Sequence, residues 1–391
     1  MKVLILAPHP FYQERGTPIA VDMLIRTLSE RGDSIDLLTF HEGVDRHYDQ
    51  LRIFRIKPFP AVRNLRPGFS AKKLYCDIFM FFRFASLLWS GKYDVVHAVE
   101  ESSFMALLLC PLRSIPFVYD IDSSMTAQLV DQFRILRPFR SLLQMIESLP
   151  MRYAAFVTPV CDALADEVRK YRDAGIVVLK DVSLVSKAQS TDGVEDIRKE
   201  LSLTGKIVMY IGNLEIYQGI DLLLESLGIV IRRNPDVSLI VIGGLPEDID
   251  VYRNVADGMG ISSHVHFLGR RPVDQIGQYM TQADILVSTR IQGTNTPMKI
   301  YSYLDSGVAV LATRLPTHTQ VMSEEFTMLA RPDKEEFAKA MLKLLDEDET
   351  RARLAGNARE YVRKEHSYST YKNLVFGLYN KLENGRTDEF G

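Results

Sequence analysis

The sequence predicts an α/β protein built as two domains. Short apolar runs of strand length, such as residues 3–7, 285–287 and 308–312, alternate along the chain with segments of helical period. Polar, glycine-bearing loops follow several of these runs, as at Gly16-Thr17-Pro18, Gly212-Asn213 and Gly243-Gly244. At 391 residues the chain is longer than one typical core. Strand, polar loop, helix, strand is the order in which an α/β domain builds a ligand site at the carboxyl ends of its strands.

Taken in order, a strand over 3–7 passes through a polar loop into a helix over 19–31 and a second strand over 34–39. This is a βαβ unit, and without GxGxxG it lacks the dinucleotide fingerprint. Gly16, beside Thr17, leaves room for a ligand to approach backbone N–H groups, and a simple turn glycine explains it equally well. A strand over 53–56 and a very apolar helix over 74–89 come next. Strands over 94–101 and 117–124 end in polar residues, and 155–159, a helix over 161–171 and a last strand over 177–179 complete the first domain. The polar stretch 187–200 marks the change of domain.

In the second domain, strands are expected near 206–211, 237–242, 265–268, 285–287 and 308–312, with helices over 220–233, 273–280 and 298–304. Turns over 313–325 lead to a short apolar segment, one long helical region over 334–364, and a final periodic segment over 370–382.

Composition narrows the function. Hydrophobic content of 46% and charged content of 25% are those of an ordinary soluble globular protein, and a net charge of -3 argues against nucleic acid as a partner. Cys76, Cys110 and Cys161 are too few and too widely spaced for a disulfide framework or a zinc pattern, so a reducing, cytoplasmic setting is expected. The start MKVLILAPHP reads as a buried strand rather than a signal peptide. The apolar stretch 78–89 is interrupted by Arg83 and is too short to span a bilayer.

Chemistry concentrates at four places. In the loop and helix start of 288–307, Arg290, Thr294, Asn295 and Lys299 supply donors and cations suited to a phosphorylated or hydroxyl-rich ligand. Asn295, Thr296 and Pro297 also make an ordinary helix entrance, so a well-capped loop is the plainer reading. Asp120 and Asp122 alternate at a strand end and can bind hydroxyls or perturb each other, but they show too few oxygens for a metal site. His97 stands at another strand end, where it contacts an acceptor or caps backbone groups.

Two basic–aromatic sets are the last feature. Arg63, Arg66, Phe69, Lys72 and Lys73 flank the apolar helix, and Phe133 to Arg140 reads FRILRPFR. They suggest contact with an anionic membrane surface, with packing inside the domain as the alternative.

With this organisation, the chain resembles family 4 (group 1) retaining glycosyltransferases of the GT-B fold. The resemblance rests on the amino-terminal strand and Gly16 loop, DVVHAVEE at 94–101, YIGNLEIYQGIDLLLESL at 210–227, LIVIGG at 239–244, VHFLGR at 265–270 and TPMKIYSYLDSGVAVLAT at 296–313. It implies two facing Rossmann-like domains with a cleft between them: an acceptor-side domain over 1–187, a donor-side domain over 188–365, and a carboxyl-terminal helix within 366–391 crossing back to the first. It also implies sugar transfer from a nucleoside diphosphate sugar to a hydroxyl, without a metal or other firmly required cofactor. Gly212 and Gly243 would then border the donor.

The chain departs from the family pattern at the donor pyrophosphate. The usual Arg and Lys fall at Asn213 and Gln218, the usual glutamates at Thr294 and Ser302, and an acceptor-side histidine at Asp120. Arg290 and Lys299 are therefore the expected replacements for the missing cations, and Asp120 the group that meets the acceptor. The membrane sets fit a lipid-linked or membrane-proximal acceptor at the inner face of a membrane. The alternative is a protein that keeps the fold and binds a sugar nucleotide or glycan without catalysis.

Overall fold

The computed structural model describes every residue except 15, 61, 64, 66–69, 186–193, 294–295 and 386–391. The expected domain boundary, Arg66, Phe69, Thr294 and Asn295 lie outside the described residues. The chain divides into two compact units, Met1–Lys180 with Ser369–Gly391, and Asp181–Tyr368.

The first unit holds β1 (Lys2–Ala7), β2 (Ser34–Thr39), β3 (Leu51–Arg55), β4 (Val95–Val99), β5 (Phe117–Ile121) and β6 (Phe156–Pro159). They form one sheet in the order β3-β2-β1-β4-β5-β6, and every pairing is parallel. Helices cover both faces of such a sheet, which is why these strands read as continuous apolar runs. Strand order reverses between β1 and β4, and that switch point opens a crevice at the strands' carboxyl ends.

The helix Ala71–Ser90 is capped by Ser70, which accepts from the Lys73 amide. It buries Cys76, Met80, Phe84 and Leu87 at helical spacing. The helix Tyr368–Asn384 belongs to this unit, with Tyr371, Val375, Leu378, Tyr379 and Leu382 buried. Arg31 Nε donates to Asn380 Oδ1 at 3.1 Å, Arg31 also pairs with Glu383, and Lys372 pairs with Glu30 at 2.7 Å.

The second unit repeats the plan. β7 (Ile207–Ile211), β8 (Ser238–Ile242), β9 (Val265–Gly269), β10 (Ile285–Ser288), β11 (Ala309–Thr313) and β12 (Met328–Ala330) form a parallel sheet in the order β12-β11-β10-β7-β8-β9. Its switch point lies between β7 and β10.

Three local expectations differ from the structure. Residues 177–179 form no strand, and the pairing there is a single bridge between Val157 and Ile176. The Val177 and Leu179 amides donate to Val157 O and Pro159 O, each at 3.0 Å, but Pro159 has no amide proton to donate back, so the ladder is not sustained. The long helical region is two helices, Lys334–Asp346 and Asp348–Glu365, because Glu347 leaves helical geometry at φ -105 and ψ 86. The helices Ser102–Leu109, Met125–Gln132, Arg140–Tyr153 and Pro246–Gly258 are not expected from the sequence, although at the last of these Pro246 at the start with Glu247 and Asp248 in the first turn is a helix-entry signal. No helix among the described residues is long and apolar enough to cross a membrane.

Candidate active site

At the switch point of the second unit, the loops after β7 and β10 are stitched together. Thr289 Oγ1 donates to Gln218 O at 2.9 Å, and the Ile291 amide donates to Tyr217 O at 2.9 Å. The approach requires glycine at Gly219, whose φ is +70 and whose Cβ would stand 2.2 Å from Thr289 O. The loop after β8 closes in the same way: a Cβ on Gly243, at φ +111, would meet Gly212 O at 2.1 Å.

Lys299 opens the short helix Lys299–Asp305 and points back to these loops. Its Nζ lies 3.9 Å from the centre of the Tyr210 ring and 3.4 Å from Gln218 Oε1. Gln218 Nε2 in turn donates to Asn213 Oδ1 at 2.8 Å. The Arg290 guanidinium sits over the Tyr217 ring at 5.2 Å, and its Nε donates to Gln292 O at 2.7 Å. Burial holds the Lys299 ammonium well below its ordinary pKa, and the charge of Arg290 pushes the same way. Burial lowers Arg290 as well. No carboxylate among the described residues offsets the Lys299 charge. Two cations held close together in partly desolvated positions form a site that favours an anion.

Three residues not singled out from the sequence support this arrangement. Tyr303 is fully buried, and its hydroxyl accepts from the Ile211 amide at 2.7 Å and donates to Ile211 O at 3.1 Å, tying the Lys299 helix to the end of β7. Tyr210 donates to Asn213 O at 2.6 Å. His318, also buried, lies 2.9 Å from Ser288 Oγ and 2.8 Å from Thr313 O, with burial pulling its pKa down to about 4. A neutral imidazole there braces the strand ends without adding a third charge. Its only sequence signal is a single histidine in a short polar turn.

Ser302 and Thr296 stand differently. Ser302 is buried, and its hydroxyl accepts from the Leu184 amide at 3.0 Å. Thr296 is buried with no partner for its hydroxyl among the described residues. Pro297 precedes the helix, and its carbonyl accepts from the Ile300 amide at 3.0 Å.

At the ends of β4 and β5 in the first unit, carboxylates collect. Asp120 Oδ1 accepts from Thr158 Oγ1 at 2.9 Å, and Oδ2 lies 3.3 Å from His97 Nε2. Asp122 accepts a hydrogen bond from Thr17, yet burial and then the charge of Asp120 push its pKa up to about 7. Glu100 holds a left-handed backbone, φ 51, and accepts from Ser123 Oγ at 2.9 Å. Burial first, then Asp122, holds its carboxyl well above the usual range. Gly16 starts the helix Gly16–Arg31, and a Cβ there would meet nothing within 4 Å, so packing does not demand the glycine.

His97 is fully buried, with Tyr379 on one side and Asp120 on the other. It therefore stands behind Asp120. Lys73, expected in a basic surface set, instead pairs with Glu101 at 2.6 Å. Among the described residues, no group of three or more His, Cys, Asp or Glu is arranged to hold a metal ion.

The two units correspond to two known domain families. Residues 15–179 match the glycosyl transferase 4-like domain, and residues 194–361 match glycosyl transferases group 1. A D-inositol 3-phosphate glycosyltransferase of Corynebacterium glutamicum is 28% identical over 209 residues, 51% of this chain and 49% of that protein. The chain thus spans about half the length of the first curated relatives it matches. Sucrose-phosphate synthase from Thermosynechococcus elongatus superposes with a TM-score of 0.80 at 19% identity, covering 98% of this chain and 99% of that one. Anabaena HepE in complex with UDP-glucose superposes at 0.76 with 15% identity, covering 97% and 100%.

Proposed function

We propose that the chain, whose two units match the glycosyl transferase 4-like domain and glycosyl transferases group 1 in a GT-B fold, is a glycosyltransferase that moves a sugar from a nucleoside diphosphate sugar to a hydroxyl acceptor with retention of configuration. The observation that carries this reading is the placement of Lys299 and Arg290 at the β7/β10 switch point, with no carboxylate among the described residues offsetting Lys299. A diphosphate supplies the missing negative charge. Asn213 and Gln218 replace the family's cations with an amide pair, and Gln218 holds Lys299 toward the site rather than competing with it for charge.

In the proposed reaction the bond from the anomeric carbon to the diphosphate oxygen breaks. The bond to the acceptor oxygen forms on the same face, and the hydroxyl proton passes to the departing phosphate. The protein stabilises the developing negative charge with Lys299 and Arg290, from fixed positions that need little reorganisation. Asp120 receives the acceptor hydroxyl as a hydrogen-bond acceptor, with Thr158 already fixing one of its oxygens. Gly16, Thr17 and Asp122 border the same strand ends.

The proposed acceptor is lipid-linked or membrane-proximal. Arg134, Arg137 and Arg140 are exposed beside Ile135 and Phe139, which are 81% and 55% exposed. Leu142, Met145 and Tyr153 continue the apolar surface along the helix Arg140–Tyr153. This combination matches an anionic bilayer surface. That site would place the protein at the inner face of a membrane.

A nucleotide-sugar panel, beginning with UDP-glucose, tests the reading by following donor hydrolysis and transfer to lipid and soluble glycan extracts. Turnover with product of retained configuration is the expected result. Saturable nucleotide binding without hydrolysis or transfer would favour a non-catalytic binding protein, for which the loss of the family's usual cations at Asn213 and Gln218 is the motivating feature. Absence of nucleotide binding would overturn both.

A further inference from the structure

His97 is buried at 0% exposure in the middle of β4, between two partners from distant parts of the chain. Its Nδ1 lies 2.9 Å from the hydroxyl of Tyr379, on the carboxyl-terminal helix Tyr368–Asn384. Its Nε2 has no hydrogen-bond partner among the described residues and lies 3.3 Å from Asp120 Oδ2, off the line of a hydrogen bond. Tyr379 is itself 1% exposed, and its ring stacks on the imidazole at 12° between planes.

We propose that Tyr379 and His97 are positioning residues for Asp120, and that the carboxyl-terminal helix is thereby a working part of the acceptor side of the site. The inference rests on the reading of Asp120 as the group that meets the acceptor. Hydrogen-bond chemistry then gives every proton a place. A carboxylate only accepts, so the imidazole must carry its proton on Nε2 to face Asp120. Nδ1 is then a lone pair, and the Tyr379 hydroxyl donates to it. The carboxylate thus selects the imidazole tautomer, the tyrosine hydroxyl satisfies the bare nitrogen that this leaves, and a small rotation of the Asp120 carboxylate brings Oδ2 onto the Nε2–H. With Thr158 holding Oδ1, both oxygens keep one internal donor and leave their remaining lone pairs for an acceptor hydroxyl.

The alternative is that His97 and Tyr379 are packing residues that happen to meet. Packing explains burial and ring stacking. It gives no reason for a tyrosine hydroxyl to be placed on a ring nitrogen whose opposite nitrogen faces a carboxylate that is 18% exposed. The docking of the helix is secured independently by Arg31 on Asn380 and Lys372 on Glu30, so the Tyr379 hydroxyl is not needed to hold it.

The test uses the full chain with nitrogen-15-labelled histidine, four single variants, Tyr379→Phe, His97→Gln, His97→Leu and Asp120→Asn, and the double variant of Tyr379→Phe with Asp120→Asn. The His97 signals are assigned by their loss in His97→Gln. In the wild type they should show Nε2 protonated and Nδ1 as a bare acceptor. Tyr379→Phe keeps the ring and removes the donor to Nδ1, so the Nδ1 signal should shift toward that of an imidazole nitrogen that accepts no hydrogen bond, while Nε2 stays protonated. In transfer assays, Tyr379→Phe should lower kcat about 10-fold with donor KM unchanged, the size expected from one hydrogen bond. His97→Gln, whose amide retains a donor toward Asp120, should keep more activity than His97→Leu. In the Asp120→Asn background Tyr379→Phe should have no further effect.

An unchanged Nδ1 signal together with unchanged kcat in Tyr379→Phe would overturn the proposal, as would a loss in that variant that is fully additive with Asp120→Asn. The nitrogen-15 readout needs no substrate. If no transfer is found with any donor, the transferase reading fails while the hydrogen bonding of His97 is still decided. A variant that unfolds is recognised from its melting curve, and the comparison then rests on Asp120→Asn, whose neutral amide should release the preference for a proton on Nε2.

Discussion

Lys299 holds its ammonium over the ring of Tyr210, 3.9 Å from the centroid, while Gln218 Oε1 touches it from the side at 3.4 Å. Neither neighbour carries a charge. The ammonium is therefore kept in a place where burial and Arg290 both oppose it, which costs stability and prepares the site for an anion. Lys299→Met should weaken nucleoside diphosphate binding roughly ten- to hundredfold, the range for one charge-assisted hydrogen bond. Binding of the free nucleoside should barely change. The same substitution should raise the melting temperature of the ligand-free protein, because it removes a partly desolvated charge. Isothermal calorimetry and thermal unfolding measure the two effects. Loss of diphosphate affinity with a lower melting temperature would mean that Lys299 is a structural residue.

Proton linkage offers a second test of the same residue. The Lys299 pKa is depressed in the free protein, and an anion beside it must raise it. Diphosphate binding should therefore take up protons in the pH window between the depressed value and the value in the complex. Calorimetry in buffers of different ionisation enthalpy reads this directly. Wild type should show uptake, and Lys299→Met should show less.

Arg290→Ala separates phosphate recognition from loop support. The guanidinium lies over Tyr217, while the residue's main-chain carbonyl is held separately by Thr313 Oγ1 at 2.6 Å. The loop should survive the substitution. Affinity for the nucleoside diphosphate should fall about tenfold or more, and affinity for the nucleoside should not. An equal loss for both ligands would remove Arg290 from the phosphate site.

On the acceptor side, Asp122 has a folded pKa of about 7 against an ordinary value of 3.8, raised by burial and then by Asp120. The folded state therefore holds the proton more tightly than the unfolded state. Stability from this group is complete below about pH 4 and is lost as pH rises toward 7, at a slope of at most about 1.4 kcal/mol per pH unit. Asp122→Asn abolishes that dependence. Its melting temperature should match the wild type near pH 4 and exceed it at pH 8, with the gap opening between. A constant gap across the range would assign the effect to packing rather than to ionisation.

Much of this fold was legible because parallel strands buried on both faces spell short apolar runs, as at 207–211 and 309–313. The helix Pro246–Gly258 escaped because its sequence, PEDIDVYRNVADG, buries only Ile249, Tyr252 and Ala256 and shows little apolar periodicity. Lys299 and Arg290 were legible as cations flanking a glycine- and proline-bearing loop. Their supports were not. Tyr303 shares the Lys299 helix but bonds Ile211 across 92 residues, His318 reaches Ser288 across 30 and Tyr379 reaches His97 across 282, and no local pattern distinguishes such a residue from ordinary core. His97 shows the same limit: the sequence suggests a strand end, but the residue lies in the middle of β4, and its burial behind Asp120 depends on where the carboxyl-terminal helix docks.

The exposed basic–apolar surface makes the last prediction. Lys73 is withdrawn from any membrane contact by its pair with Glu101, so the expected charge comes mainly from Arg134, Arg137 and Arg140. These arginines lie on a short turn that leads into the helix Arg140–Tyr153, where Leu142 and Met145 are 49% and 57% exposed. Sedimentation with vesicles containing anionic lipid should show binding that weakens with salt, and neutral vesicles should bind less. Basic residues near such a surface contribute about 1 kcal/mol each, so changing all three arginines to glutamine should cut binding roughly a hundredfold. Changing Leu142 and Met145 to serine should weaken binding at every salt concentration, because that term comes from apolar burial. Binding that ignores both sets of substitutions would place the membrane contact elsewhere or remove it.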